Sequence, residues 1–142
     1  KKGVCNKKVE GDLTTPKGIF NLGNIYFRSD RVQKPFSKLK SISIKKNMGW
    51  CDDPNSKFYN KLIKIKKNLK ISHEKLYRKD HKYDFFILIK YNYKNPVKLK
   101  GSAIFLHLTK NYLPTKGCIA LCEKDFLILA KLINKKTKIK IN

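Results

Sequence analysis

Two side chains of the sequence, those of His107 and Cys118, are of the types that together perform nucleophilic catalysis. A free thiol with a pKa near about 8.5 is only a few per cent thiolate at neutral pH, so a cysteine nucleophile needs a neighbouring base. Eleven positions separate the two residues, which is the length of a strand, a reversal and a returning segment. The spacing therefore predicts that the imidazole and the sulfur meet across a turn.

The turn that precedes the cysteine, Pro-Thr-Lys-Gly-Cys at 114–118, has residues suited to the same chemistry. Gly117 permits a sharp turn, and the amides of Gly117 and Cys118 are candidates for stabilising an oxyanion, a contribution of about 3 kcal/mol. Lys116 is a candidate for stabilising the thiolate, because a nearby cation lowers a thiol pKa; the alternative is a side chain that points into water.

A simpler interpretation of the pair stays open. A buried, unreactive Cys118 and a hydrogen-bonded core His107 give the same sequence pattern. His73 and His81 are interpreted as surface residues, and either one is the alternative base if the pairing of His107 with Cys118 is wrong. Because a neutral imidazole must be oriented through one nitrogen, we expect a backbone carbonyl near Leu108 to hold the ring of His107.

The other cysteines, Cys5, Cys51 and Cys122, fit neither a disulfide framework nor a zinc-binding spacing. We therefore expect no metal and no cofactor. Cys122 precedes a helical pattern and is interpreted as a helix cap or a packed thiol.

The charge of the chain is strongly positive, with 34 Lys and Arg against 10 Asp and Glu and a formal net charge of +24. Only Arg28, Arg31 and Arg78 are arginines, the side chain favoured for specific phosphate and base recognition, so we do not expect nucleic acid as a partner. A lysine-rich module that binds a polyanion without catalysis stays an alternative. No apolar run approaches the roughly 20 residues of a membrane-spanning helix.

The elements that must position these residues are mainly β-strands, in a single domain covering residues 1–142. Alternating or unbroken apolar and aromatic patterns predict strands at 19–23, 25–27, 63–65, 83–93, 101–108 and 137–141, and Pro114 and Gly117 break the chain before 118–121. Helical spacing with acidic residues in the first turn predicts a helix at 123–133, and Ser72 is expected to cap a short one at 74–78. The segments 29–43 and 48–54 are interpreted as loop and turn.

Five motifs follow one another along the chain: Glu-Gly-Asp-x-x-Thr-Pro-x-Gly at 10–18, Gly-Trp-Cys-Asp-Asp-Pro at 49–54 with Tyr-Asn at 59–60, the polar residues of 74–84, Gly-Ser-Ala-Ile-Phe-Leu-His at 101–107, and Pro-Thr-x-Gly-Cys-Ile-Ala-Leu at 114–121. In this order they resemble the YkuD-like family of L,D-transpeptidase catalytic domains. The resemblance implies a mainly β fold, a β-sandwich or mixed sheet with one or two short helices. The family's usual first strand is expected to be missing before Lys1.

The resemblance also implies an activity on peptidoglycan stem peptides in the cell envelope. Cys118 is the implied nucleophile, which expels D-Ala and forms a thioester, and His107 is the implied general base and acid. Thr115 matches the Ser/Thr of the family motif and is expected to support it. An amine acceptor would give a cross-link, and water would make the enzyme a carboxypeptidase.

The sequence departs from the better-studied members of the family beside the nucleophile. Lys116 replaces their histidine, and the spacing from histidine to cysteine is shorter than theirs. The choice between transpeptidation and hydrolysis therefore stays open, and we expect a monomer.

Overall fold

The computed structural model describes residues 2–142, which form eleven strands and one α-helix. The strands are β1 (Val4–Cys5), β2 (Thr15–Pro16), β3 (Gly18–Phe27), β4 (Ser41–Ser43), β5 (Met48–Cys51), β6 (Leu62–Lys64), β7 (His73–Lys75), β8 (Phe85–Ile89), β9 (Phe105–Leu108), β10 (Ile119–Leu121) and β11 (Lys138–Ile141). The helix α1 covers Glu123–Leu132, and a 3₁₀ turn covers His81–Tyr83.

The largest sheet has six strands and mixed directions. Its order is β10-β9-β8-β3-β11, and β4 pairs with β3 beside this path. Strand β3 is long enough to serve two sets of partners: its first half pairs with β11 and its second half with β4 and β8. An irregularity between Leu22 and Ile25 separates the halves, as a β-bulge does when it bends a strand.

The two faces of this sheet bury different sets of side chains, as the alternation of side chains along a strand requires. One face packs Ile25, Ile87 and Leu106 against α1, which contributes Phe126 and Ala130. The other face carries an aromatic cluster with Tyr26, Trp50, Tyr83, Phe86 and Phe105. Cys118 packs against this aromatic cluster, so the fold places the predicted nucleophile on the face opposite the helix.

Two smaller sheets complete the described structure. Strands β6, β5 and β7 form an antiparallel sheet, and β1 pairs with β2 in parallel. Side-chain contacts join the motifs of the sequence: the Tyr59 hydroxyl donates a hydrogen bond to the carboxylate of Glu10. The segment 10–18 and the segment 59–60 are therefore neighbours in the fold.

The mainly β prediction is confirmed, and the strands predicted at 83–93, 101–108 and 137–141 are present with shorter bounds. The two strands predicted at 19–23 and 25–27 are one continuous strand, β3. The helix predicted at 123–133 is confirmed as α1, which ends one residue earlier, with Cys122 as its N-cap and no hydrogen bond from the thiol. The prediction of one domain for residues 1–142 stays a prediction. Among residues 2–142, no helix is both long enough and apolar enough to cross a membrane.

Three other segment predictions are wrong because tertiary pairing overrides local propensity. The segment 29–43, interpreted as a loop, ends with strand β4, which pairs with β3. The helix predicted at 74–78 is instead partly strand β7, which pairs with β5, and the Ser72 hydroxyl donates to Asp52 rather than capping a helix. The segment 48–54, interpreted as a turn, begins with strand β5. The strand predicted at 101–108 begins only at Phe105, because Gly101 and Ala103 have positive φ angles of 94° and 51°.

Candidate active site

The site is built at one end of strands β9 and β10, which run parallel to each other. Ala120 lies opposite His107 in this pairing, so the residue two positions earlier, Cys118, lies near the level of Phe105. Side chains two positions apart in a strand point to the same face. The imidazole and the sulfur therefore share one face of the sheet, about 7 Å apart along the strand direction at two residues' rise.

This arrangement corrects one detail of the prediction from spacing. The chain does not fold back as an antiparallel strand after His107, because β10 runs parallel to β9. The segment 109–118 between them is a short crossover without a helix, whereas parallel neighbours usually need a longer connection. The two side chains are nevertheless brought to the same region.

The sulfur of Cys118 is half-buried and hydrogen-bonded to backbone groups of the segment that precedes His107. The thiol donates to the carbonyl of Ala103 at 3.3 Å, and the sulfur accepts from the N–H of Phe105 at 3.4 Å. Burial raises the pKa of the Cys118 thiol from 9.0 to about 11, although the Phe105 N–H acts in the opposite direction. The charge of Glu74 raises this pKa and the charge of Lys8 lowers it. The resting side chain is a protonated thiol at neutral pH.

The imidazole of His107 is buried and its tautomer is fixed. Nδ1 lies 2.8 Å from the carbonyl oxygen of Leu108, the contact expected from the sequence. Because a carbonyl oxygen can only accept, Nδ1 carries the proton and Nε2 presents its lone pair. Burial lowers the pKa of His107 below its usual value of 6.5, and the Leu108 carbonyl opposes this effect. His107 is therefore a neutral base at physiological pH.

The phenol of Tyr83 lies beside both groups. Its ring centroid is 5.5 Å from that of His107, and its hydroxyl donates to Glu74 at 3.2 Å. Burial raises the pKa of Tyr83 well above its usual value, with a further contribution from the charge of Cys118. Arg78 pairs with Glu74 and Asp80, so an ion cluster of the segment 74–80 flanks the imidazole side of the site.

The turn before Cys118 is held by Thr115 and shaped by Gly117. The Thr115 hydroxyl donates to the Cys118 carbonyl at 2.5 Å and accepts from the Gly117 N–H at 3.2 Å. The Gly117 amide expected to face an oxyanion is thus occupied within the turn. Gly117 has a φ of 127°, and a Cβ there would lie 2.4 Å from the carbonyl oxygen of Thr14. This approach of two backbones permits only glycine.

A buried lysine that the sequence analysis missed lies against this turn. Lys8 is 5% exposed; its Nζ is 2.6 Å from Asp12 and donates to the Thr14 carbonyl at 3.0 Å. A Cβ on Gly117 would lie 3.6 Å from this Nζ. Against the cost of burial, the hydrogen bond from Lys8 holds the pKa of Asp12 well below its usual range. Nothing in the sequence distinguishes Lys8 from the other lysines.

A buried asparagine, Asn60, holds the backbone that accepts the thiol hydrogen bond. Its Oδ1 accepts from the Ala103 N–H at 3.1 Å and from the Trp50 indole at 2.8 Å. Its Nδ2 donates to the carbonyls of Tyr91 and Asn92 at 3.0 and 2.6 Å. All four hydrogen bonds of the amide are made, and Ala103 is fixed with its carbonyl toward the sulfur. The Tyr-Asn motif at 59–60 was the only indication of this role.

The remaining candidates lie elsewhere or take other partners. Lys116 is exposed, whereas the lysine whose charge lowers the pKa of Cys118 is Lys8. His73 lies in β7 with Nδ1 2.6 Å from the Ile71 carbonyl, and His81 is an exposed residue paired with Asp84 at 2.6 Å.

The other cysteines and the possible metal ligands add no further cluster to the site. Cys5, Cys51 and Cys122 are free thiols, as is Cys118. Within the described range 2–142, no group of three or more His, Cys, Asp or Glu side chains is arranged to hold a metal ion.

The fold and the site define a β-rich domain with a cysteine in a tight turn and a neutral histidine on the adjacent parallel strand. The chain belongs to the YkuD family, the L,D-transpeptidase catalytic domain, whose sequence model matches residues 2–141. No curated protein and no solved structure matches the chain.

Proposed function

We propose that this protein is a cysteine acyltransferase that acts on peptidoglycan stem peptides in the cell envelope. Two observations support the proposal together: membership of the YkuD family over residues 2–141, and a half-buried Cys118 on the same sheet face as a tautomer-fixed His107. The donor is a stem tetrapeptide, and the scissile bond joins the L-centre of its diamino acid to the terminal D-Ala.

In the first half-reaction, Cys118 exchanges one hydrogen bond for another. The thiol leaves the Ala103 carbonyl, to which it donates at 3.3 Å, and turns toward Nε2 of His107. His107 takes the thiol proton while the sulfur attacks the carbonyl carbon, and the negative charge passes to the carbonyl oxygen. The imidazolium then gives its proton to the departing amine of D-Ala, and a thioester remains on Cys118.

In the second half-reaction, an amine of another stem peptide attacks the thioester. His107 removes a proton from this amine as the new amide forms, and the proton returns to the thiolate of Cys118. Because the Gly117 N–H is engaged by Thr115, the Cys118 amide is the remaining candidate in the turn for the oxyanion. Water in place of the amine gives a tripeptide and makes the enzyme a carboxypeptidase.

Incubation of the protein with purified muropeptides, followed by liquid chromatography and mass spectrometry, tests the proposal. Cross-linked dimers that have lost D-Ala are expected from wild type. Cys118→Ser is expected to abolish them, and His107→Gln to lower the rate about 10²-fold or more, the usual contribution of a general base. Trimmed tripeptides without dimers would identify the hydrolytic alternative.

Absence of any Cys118-dependent product would contradict both reactions. The alternative of a lysine-rich binding module would then be favoured by salt-sensitive binding of a polyanion that Cys118→Ser leaves unchanged.

A further inference from the structure

Burying the charged side chain of Lys8 costs free energy, so its position beside the turn that carries Cys118 (residues 114–118, the nucleophile turn) points to a role. Its side chain is 4% exposed and makes one ion pair, to Asp12. Removing an ammonium group from water costs several kcal/mol unless its partners repay that loss, and a buried ion pair often adds little net stability. Lysine side chains are long and flexible and normally keep their charged group in water. The side chain of Lys8 is instead held inside the protein.

Two glycines with positive φ angles lie against this side chain, and the absence of a Cβ at Gly101 makes room for it. A Cβ on Gly101 would lie 2.8 Å from Cε of Lys8, and one on Gly117 would lie 3.6 Å from Nζ. Gly101 precedes the segment that carries Ala103 and His107, and Gly117 is bonded to Cys118. The lysine therefore lies between the two pieces of chain that supply the base and the nucleophile.

We propose that Lys8 is a positioning residue that also supplies the positive charge of the reaction centre, stabilising the Cys118 thiolate as it forms. The catalytic part of this inference rests on the proposed function. The ammonium fixes the Thr14 carbonyl against Gly117 and so sets the turn that aims the sulfur. Its charge then favours the anionic sulfur once His107 takes the proton.

The charged groups near the sulfur act in both directions. Glu74, which pairs with Arg78, disfavours the thiolate, Tyr83 is a buried neutral phenol, and Asp12, 2.6 Å from Nζ of Lys8, offsets part of the lysine charge. Lys8 is the cation whose charge lowers the pKa of Cys118. Lys116, adjacent in sequence, lies in solvent, where its charge is screened.

The test compares the pH dependence of Cys118 alkylation by iodoacetamide in wild type, Lys8→Met and Lys8→Arg. Fragment ions in tandem mass spectrometry separate Cys118 from the other three cysteines, including Cys122 in the same tryptic peptide, and the half-buried Cys122 serves as an internal control for reagent access. At a fixed pH between 8 and 10, we expect Lys8→Met to react roughly 3- to 10-fold more slowly, because a tenfold loss of thiolate corresponds to about one pKa unit. Lys8→Arg is expected to stay near wild type.

Lys7→Met is the matched control, because Lys7 is an exposed neighbour that carries the same charge. It is expected to leave the alkylation rate of Cys118 unchanged. If Lys8→Met does not fold, the double variant Lys8→Met with Asp12→Asn removes both charges and keeps one acceptor oxygen at position 12, for one of the two amides, Val9 or Thr14, that donate to the carboxylate.

An unchanged Cys118 alkylation profile in a folded Lys8→Met protein, or in the folded double variant, would overturn the proposal and leave Lys8 a structural ion pair. The assay uses no peptidoglycan, so this outcome is distinct from failure of the proposed function. If muropeptides are not turned over while Lys8→Met slows alkylation, the electrostatic assignment stands and the proposed substrate is wrong.

Discussion

Replacement of Asn60 by alanine is expected to destabilise the protein more than any other loss of a single polar side chain near the site. Asn60 is 2% exposed and its amide makes four hydrogen bonds, at 2.8, 3.1, 3.0 and 2.6 Å. Alanine would leave the Trp50 indole N–H and the Ala103 N–H without their shared acceptor. Two backbone carbonyls would lose a donor at the same time.

The magnitude follows from these unpaired groups. A buried donor left without a partner costs about 1–3 kcal/mol, so the two N–H groups alone cost about 2–6 kcal/mol. Asn60 also has a φ of 56°, a conformation that asparagine tolerates better than alanine. We expect a loss of about 4 kcal/mol in the free energy of unfolding, and a melting temperature lower by roughly 10–15 °C for a chain of this length.

Urea and thermal unfolding followed by circular dichroism measure this change. Asn60→Gly removes the same hydrogen bonds but accepts the positive φ, so it is expected to be about 1 kcal/mol more stable than Asn60→Ala. Asn55→Ala, at an exposed position of the same loop, is expected to stay within about 0.5 kcal/mol of wild type. A loss below about 1 kcal/mol for Asn60→Ala would refute the reasoning that this amide holds the Ala103 backbone.

Two further predictions concern the nucleophile turn. Gly117→Ala is expected to lower the free energy of unfolding by about 3 kcal/mol or more and to abolish turnover, because its Cβ would lie 2.4 Å from the Thr14 carbonyl oxygen. Gly11→Ala is the control: Gly11 has a φ of 77° and a Cβ there would have no atom within 4 Å, so this variant measures the backbone strain alone and is expected to cost about 1 kcal/mol. Burial raises the pKa of Cys118 from 9.0 to about 11, so the unfolded state loses its thiol proton first as pH rises, and stability is lost across that range. Denaturant unfolding is expected to show that the free energy of unfolding falls by about 2 kcal/mol more between pH 8 and pH 10.5 in wild type than in Cys118→Ser. An equal decrease in the two proteins would contradict the raised pKa.

The parts of the fold that the sequence predicted are those with an unbroken periodic pattern. The buried run that forms β8 and the apolar spacing that forms α1 are dictated by their own residues, because burial on both faces or on one stripe leaves a visible repeat. Strand β7 has no such repeat. Its residues form a strand because β5 supplies hydrogen-bonding partners from 22 to 26 positions away, as in the pairs of Cys51 with His73 and of Gly49 with Lys75.

The residues of the candidate site also divide into those that the sequence predicts and those that only the fold reveals. The reactive types, His107 and Cys118, are conspicuous in the sequence because few residues can perform their chemistry. Lys8 and Asn60 are not conspicuous, since a lysine or an asparagine usually lies on the surface and only the fold shows these two to be buried. Asn60 bonds backbone groups as far away as Ala103, 43 positions along the chain, and no side-chain pattern encodes such contacts. The partners of Lys8, the Asp12 carboxylate and the Thr14 carbonyl, lie only four and six positions away.

Under the proposed function, the resting electrostatics of the site require that the substrate take part in the transfer of the thiol proton. The thiol pKa is about 11, and that of His107 lies below 6.5, so moving the proton between them in the resting protein costs about 6 kcal/mol or more. This cost fits within the roughly 16 kcal/mol barrier of an enzyme that turns over about ten times per second. It also protects the sulfur, since a thiol that stays protonated reacts slowly with oxidants and alkylating agents. A substrate carbonyl that accepts the sulfur's electrons as the proton leaves removes the need for a free thiolate, which is how a buried, weakly acidic cysteine and a weakly basic histidine can together act as a nucleophile.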